Sequence, residues 1–220
     1  MKTTIDLYFD IISPYSWIAF ESLLRYAPKL PAEIRFKPFY LAGIMKASQN
    51  RPPATVPAKG VQMLKDLECL GRYWGIPIRP PSDFVGSILT RNNVLAVRFL
   101  TAVEQTRPKD LPKLATILWS RIWSQDLPVH DEKSIYEAAQ EAGLDFSTAK
   151  QLLEQANSDD IRDLLKQRTE EAVASGAFGA PWIVVHEPGK PEKTFFGSDR
   201  LPMICNELGV DFEGPLKSKM

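Results

Sequence analysis

Ile5-Asp6-Leu7-Tyr8-Phe9-Asp10-Ile11-Ile12-Ser13-Pro14-Tyr15-Ser16-Trp17 changes its apolar period halfway along. Ile5, Leu7 and Phe9 alternate in a β-branched and aromatic run, the pattern of a strand. Beyond Ser13-Pro14 the apolar positions become Trp17, Phe20, Leu23 and Leu24, the pattern of a helix. Ser13 is suited to the N-cap and Pro14 to the first helical position, where a missing N–H costs nothing. A strand thus ends in a tight turn with a hydroxyl at the positive end of a helix. Free N–H groups and the helix dipole stabilise an anion there. Taken alone, Ser13 need do no more than cap its helix.

A strand running into Cys-x-x-Cys at a helix start is the redox site of thioredoxin-like proteins. Here the frame is intact but both sulfurs are replaced, as Ser13-Pro14-Tyr15-Ser16. Serine forms no disulfide, so thiol–disulfide exchange through this motif, of the kind run by disulfide-bond-forming oxidoreductases, is excluded. The electrostatics survive and would suit a thiolate brought by a ligand. Lowering a thiol from a pKa of about 8.5 to about 7 requires roughly 2 kcal/mol. A hydrogen bond to a charged group contributes about 1.5–3 kcal/mol, and a helix N-terminus about 0.3–1.

The rest of the chain extends the same frame. Ile34 to Phe39 alternates as a second strand, and β-α-β order predicts that it runs parallel to the first. A polar, proline-bearing stretch covers Ser48 to Pro57. From about Val61 to Ala174 the pattern is helical, with Leu111, Leu114, Leu118 and Ile122 on one face and Leu152, Leu153, Ile161, Leu164 and Leu165 in later segments. Ser82, Ser147 and Ser158 are expected N-caps, and Gly143 a helix end. Trp182 to His186 returns to strand character, Glu187-Pro188-Gly189-Lys190 makes a hairpin, and Lys193 to Phe196 is its second arm. A last helix is expected from near Ser198 to Gly209. The sequence therefore predicts an α/β chain: a thioredoxin-like β-α-β / β-β-α domain, residues 1–56 and 176–220, interrupted by an all-helical insertion, residues 57–175.

Composition narrows the function classes. The 220 residues are 44% hydrophobic and 25% charged, enough apolar material for a sizeable core. Lys plus Arg and Asp plus Glu each number 27, so the net charge is zero. That argues against nucleic acid or an anionic membrane as main partner. No apolar run approaches the roughly 18 residues of a membrane span. Cys69 and Cys205 fit no metal or redox spacing, so no metal site is expected, and a reducing compartment is. Both are expected to be buried small apolar residues. His130 and His186 show no catalytic spacing. Trp119 and Trp123 are expected in the core, whereas Trp17, beside the serine, is a candidate wall for an apolar substrate. The first strand begins almost at Met1, leaving no expected leader. Ser218-Lys219-Met220 is one conservative change from a Ser-Lys-Leu peroxisomal address on a tail expected to be exposed.

The chain resembles the kappa-class glutathione S-transferases and the related 2-hydroxychromene-2-carboxylate isomerases. The resemblance rests on Ser13-Pro14-Tyr15-Ser16-Trp17, Leu41-Ala42-Gly43-Ile44-Met45-Lys46, Asn50-Arg51-Pro52-Pro53, Arg98-Phe99-Leu100-Thr101-Ala102-Val103, Gly176-Ala177-Phe178-Gly179-Ala180-Pro181 and Phe196-Gly197-Ser198-Asp199-Arg200. The middle segments favour the kappa class. It implies glutathione as substrate, with no cofactor, Ser13 as the catalytic hydroxyl, and Ser13, Pro14, Tyr15 and Asn50 in contact with the tripeptide. In this frame Pro181 is expected cis, with Ala180 offering its backbone to the cysteinyl residue as an added strand. Ser198 suits the γ-glutamyl carboxylate and Asp199 its ammonium. Lys59 is a secondary candidate for the glycyl carboxylate, and Arg200 for orienting the site or crossing an interface. The resemblance further implies a homodimer, a small apolar electrophile or a lipid peroxide as second substrate, and residence in the peroxisome or, alternatively, the mitochondrial matrix. The open alternatives are an isomerase of ring-opened aromatics and a non-catalytic glutathione-binding or chaperone-like protein.

Overall fold

A computed structural model describes residues 2–217. The apolar alternation at the start of the chain forms β1 (Thr4–Phe9), buried on both faces along its whole length. The helix α1 (Pro14–Tyr26) follows, then β2 (Glu33–Pro38), which pairs parallel to β1 from Thr4↔Glu33 to Phe9↔Pro38. Chain reversal around β1 explains the parallel pairing: the crossover helix must pack back on the sheet. After α2 (Leu41–Ala47) and a single 3₁₀ turn (Pro53–Thr55) come α3 (Pro57–Trp74), α4 (Val94–Thr106), α5 (Leu111–Trp123), α6 (Glu132–Glu141), α7 (Phe146–Ala156) and α8 (Asp159–Ala174). The chain then returns as β3 (Trp182–His186), β4 (Lys193–Phe196) and α9 (Leu201–Glu207). Sheet order is β2-β1-β3-β4, with β3 antiparallel to both neighbours.

The expected caps divide. Ser158 caps α8, accepting from the Ile161 N–H at 3.3 Å, and Gly143 lies just beyond α6 with φ 88°. Ser147 does not cap α7: Asp145 does, accepting from the Thr148 N–H at 2.8 Å. Its carboxylate, two residues earlier, reaches the free N–H groups first. Ser82 caps nothing, donating its N–H to Asp126 Oδ1 at 3.2 Å. The segment after it closes as a π-helical turn, Val85–Thr90.

α2 escapes a local reading because its cap is tertiary. Tyr40 at its N-cap offers no side-chain bond. The Leu41 N–H instead donates to Asp10 Oδ2, at 2.8 Å, from the end of β1. The last helix begins at Leu201, three residues later than expected, so Ser198 and Asp199 occupy a turn and not a helix start.

One continuous apolar core joins the sheet to the helical segment. Ile5, Phe9, Phe20, Trp119, Ile122 and Ile183 belong to the same buried cluster. Trp119 packs against Phe9 and Phe20 with ring centroids 5.3 and 5.1 Å apart. Trp17 is also in this core, stacked on Trp119, and forms no cleft wall. Cys205 is fully buried, and burial pushes its thiol pKa up. Cys69, by contrast, is exposed on α3. Pro215 and Lys217 are exposed, as expected of the tail, which is nonetheless anchored: Tyr26 donates to the Gly214 carbonyl at 2.7 Å and Arg25 to that of Leu216 at 3.0 Å. Ser218-Lys219-Met220 lie outside the described residues. Among the described residues no helix is long and apolar enough to cross a membrane.

Candidate active site

The turn between β1 and α1 places Ser13 as the sequence predicts. Its hydroxyl oxygen accepts from the Ser16 N–H at 3.1 Å, making Ser13 the N-cap of α1, with Pro14 in the first turn. The Ser13 carbonyl is pinned from across the core by the Trp119 indole N–H at 3.1 Å. Ser16 points inward, its hydroxyl fully enclosed with no hydrogen-bond partner among the described residues.

The Ala180-Pro181 peptide is cis, and Ala180 faces Ser13. The Ser13 hydroxyl donates to the Ala180 carbonyl at 3.3 Å, a long bond that a better partner can displace. Two residues 167 positions apart in sequence thus form one site. Gly179, beside Ala180, packs against Phe196: a Cβ there would lie 2.9 Å from the Phe196 ring.

Asn50 closes the site from the loop after α2. Its side-chain amide donates to the Phe178 carbonyl at 2.7 Å, tying that loop to the segment entering β3. Tyr15 turns its hydroxyl to Asp66 Oδ2 on α3, at 2.8 Å. Burial and the Asp66 carboxylate push the Tyr15 pKa above the ordinary tyrosine range. Tyr15 therefore stays protonated and is no base. Ser198 is buried and Asp199 exposed, paired with Arg200 at 3.4 Å. With Tyr15, Asp66 and Ala180 they line a recess of about 230 Å³. Gly197, at φ 108°, shapes the turn that holds them. Lys59 stands exposed in the first turn of α3, outside the wall of either recess.

Ser13, Pro14, Tyr15, Asn50 and Ala180 also line a larger cleft of about 480 Å³, whose far wall comes from the helical segment through Met63, Phe84, Ile88, Leu89 and Trp123. That size and apolar lining suit a small organic ligand. Neither histidine lines this cleft. His186 ends β3 between Asp6 and Glu192, at 3.2 and 2.9 Å. Among the described residues no group of His, Cys, Asp and Glu is placed to hold a metal.

Asp10 supports the site from beneath. It is buried and accepts from the Ile12 N–H at 3.0 Å, the Leu41 N–H at 2.8 Å and the Asn93 amide at 2.5 Å. Desolvation outweighs these bonds and raises its pKa to about 6. Sequence reading passed over it, because two of its three partners come from far along the chain, Leu41 at the start of α2 and Asn93 just before α4. Asp66 and the cleft wall were missed for the same reason.

The DSBA-like thioredoxin domain model matches residues 4–209. Glutathione S-transferase kappa 1 of Homo sapiens is 39% identical over 216 residues, covering 98% of this chain and 95% of that protein. The 2-hydroxychromene-2-carboxylate isomerase of Sphingobium xenophagum is 27% identical over 216 residues, 94% of this chain and 99% of that protein. A solved structure of 2-hydroxychromene-2-carboxylate isomerase superposes with a TM-score of 0.75 at 20% identity, covering 94% of both chains.

Proposed function

The chain belongs to the DSBA-like thioredoxin domain family and, within it, to the kappa glutathione S-transferases, and we propose that it activates the glutathione thiol at Ser13 and transfers the sulfur to small electrophiles. The observation that carries this reading is the Ser13 hydroxyl, 3.3 Å from the Ala180 carbonyl at the wall of the cleft. A cysteinyl N–H that takes the Ala180 carbonyl frees the hydroxyl proton to donate to sulfur. The sulfur then lies at the N-terminus of α1, where hydroxyl and dipole both favour the thiolate. Its proton leaves to solvent, since no side-chain base lines the cleft. Serine is a hydrogen-bond donor here, not a covalent nucleophile.

The thiolate attacks an electrophilic carbon: the carbon–sulfur bond forms, and the leaving group departs with its electron pair. With a peroxide, the thiolate attacks the terminal oxygen, the O–O bond breaks and the alkoxide leaves to be protonated to the alcohol; a second glutathione then displaces water from the resulting sulfenic acid to give the disulfide. Pro14, Tyr15, Asn50, Ala180, Ser198 and Asp199 would hold the tripeptide, and the cleft its partner. Detoxification of electrophiles, a homodimer, and residence in the peroxisome or mitochondrial matrix belong to the same proposal, supported by family resemblance.

Ser13→Ala tests the reading. Conjugation of 1-chloro-2,4-dinitrobenzene should fall tenfold or more, and the pH profile of kcat/KM should shift upward as the bound thiol loses its donor. Glutathione affinity should change little. An unchanged rate and profile would remove Ser13 from the chemistry. Turnover of a hydroxychromene carboxylate in place of the aryl halide would favour the isomerase.

A further inference from the structure

A second groove lies outside the cleft, about 690 Å³ between α2, α4 and α8, with apolar walls from Val94, Leu165 and Val173. Four cations line it, Lys46, Arg98, Arg162 and Lys166, against the single carboxylate Glu170. On a chain of zero net charge this is a local excess. Two of the four are engaged along their own helix: Arg162 with Asp159 at 3.3 Å, and Lys166 with Glu170 at 3.9 Å. Arg98 is not. It is half-buried, its Nε is enclosed without a hydrogen-bond partner, and among the described residues no carboxylate forms an ion pair with it. Burial and the charge of Arg162 both weaken its hold on its proton, while Tyr40 offsets them slightly. A guanidinium drawn partly out of water beside a second one is unfavourable until an anion joins it.

We propose that this groove binds a small anionic amphiphile, a carboxylate on an unbranched apolar tail. The two terminal nitrogens of Arg98 take the carboxylate end-on in two parallel hydrogen bonds, the enclosed Nε taking no part, and the tail lies along Leu165 and Val173. The volume falls in the range of roughly 300–1,000 Å³ of small-molecule sites. A second copy of this chain docked isologously would set the same cationic groove against itself. Tyr40 walls both this groove and the cleft. Its backbone N–H donates to Thr169 Oγ1 at 3.2 Å and its hydroxyl to Asn92 Oδ1 at 3.3 Å. An occupant of the groove therefore bears on the cleft wall without entering it.

Calorimetric titration of the purified chain with sodium laurate, below its micelle concentration and without glutathione, tests the proposal. Laurate should bind in a one-to-one ratio, and acetate and dodecanol should each bind at least about tenfold more weakly, since both charge and tail are needed. Arg98→Ala should weaken laurate by at least about tenfold. Arg98→Lys should fall between, and Ala47→Trp, narrowing the groove from its exposed rim, should also weaken binding. Ser13→Ala should bind as the parent chain does. Equal laurate affinity in Arg98→Ala and Ala47→Trp would overturn the assignment, as would equal affinity for dodecanol. Displacement of laurate by S-hexylglutathione with no effect of Arg98→Ala would place it in the cleft instead. No laurate uptake, with Arg98→Ala changing the sedimentation mass, would make the groove a subunit interface and end the proposal.

Discussion

Asp10 is a buried carboxylate beneath the site, its pKa raised to about 6 by desolvation. Its raised pKa means that the folded chain binds the Asp10 proton more tightly than the unfolded chain, whose reference value is 3.8 against about 6. Between these values the native state holds more protons, so the contribution of this group to stability is present at low pH and is lost as pH rises through about 6. Asp10→Asn removes that titration. Stability should then climb more steeply with pH between about 4 and 6 than in the parent chain, as read from urea unfolding at several pH values. The amide also offers one acceptor oxygen where the carboxylate used two, so Leu41 N–H or Ile12 N–H loses its partner. A loss of about 1–3 kcal/mol at neutral pH is expected. Equal pH slopes in the two chains would mean that Asp10 does not titrate as its burial requires. Ser13 was legible from its neighbours because a cap and a proline are local signals. Asp10 was not, since its three donors are scattered from Ile12 to Asn93.

Among the elements, the segment Phe178–Ala180 and the helix pair α4/α8 make the clearest cases. Gly179→Ala should push the Phe196 ring aside, because the added methyl meets it at 2.9 Å. Stability should fall by about 1–2 kcal/mol, and KM for glutathione should rise more than kcat falls, since Ala180 moves while the Ser13 cap remains. Arg168 on α8 is buried and ion-paired to Glu104 on α4. Glu104→Ala strands that guanidinium and should cost about 3–5 kcal/mol in chemical denaturation. Glu104→Ala together with Arg168→Leu should recover much of the loss; if it does not, packing and not charge dominates the contact. Strands β1 and β2 were readable from alternation, β3 and β4 from strand character on either side of a hairpin turn, and α5 from its 3.6-residue stripe. α2 was not, because its cap arrives from β1. The shift of α9 to Leu201 and the substitution of Asp145 for Ser147 both reflect geometry that residue type alone leaves open.

Across the whole molecule, the cleft exists because the helical segment and the sheet share one core yet part above Ser13. The two walls should then be separable in kinetics. Ile88→Asp, in the π-helical turn, should raise KM for an apolar aryl halide at least about tenfold, the size of a lost apolar contact plus a buried charge. KM for glutathione should hold, since the wall proposed for the tripeptide is Tyr15, Ala180 and Ser198. A parallel rise in both would mean that the turn supports the tripeptide as well. Sedimentation equilibrium at twice the chain mass would bear out the proposed dimer, and a single-chain mass would refute it.

The amino-acid order alone determined the strand-to-helix turn at Ser13-Pro14, the absence of a redox pair, the strand pattern of the sheet and the helical character of the middle, because each depends on neighbours a few residues apart. Only the tertiary structure decided that Ala180 meets the Ser13 hydroxyl, that Trp17 belongs to the core, that Asp10 caps α2, and that no carboxylate among the described residues pairs with Arg98. Those facts depend on which distant groups share a small volume, and local periodicity carries no information about that.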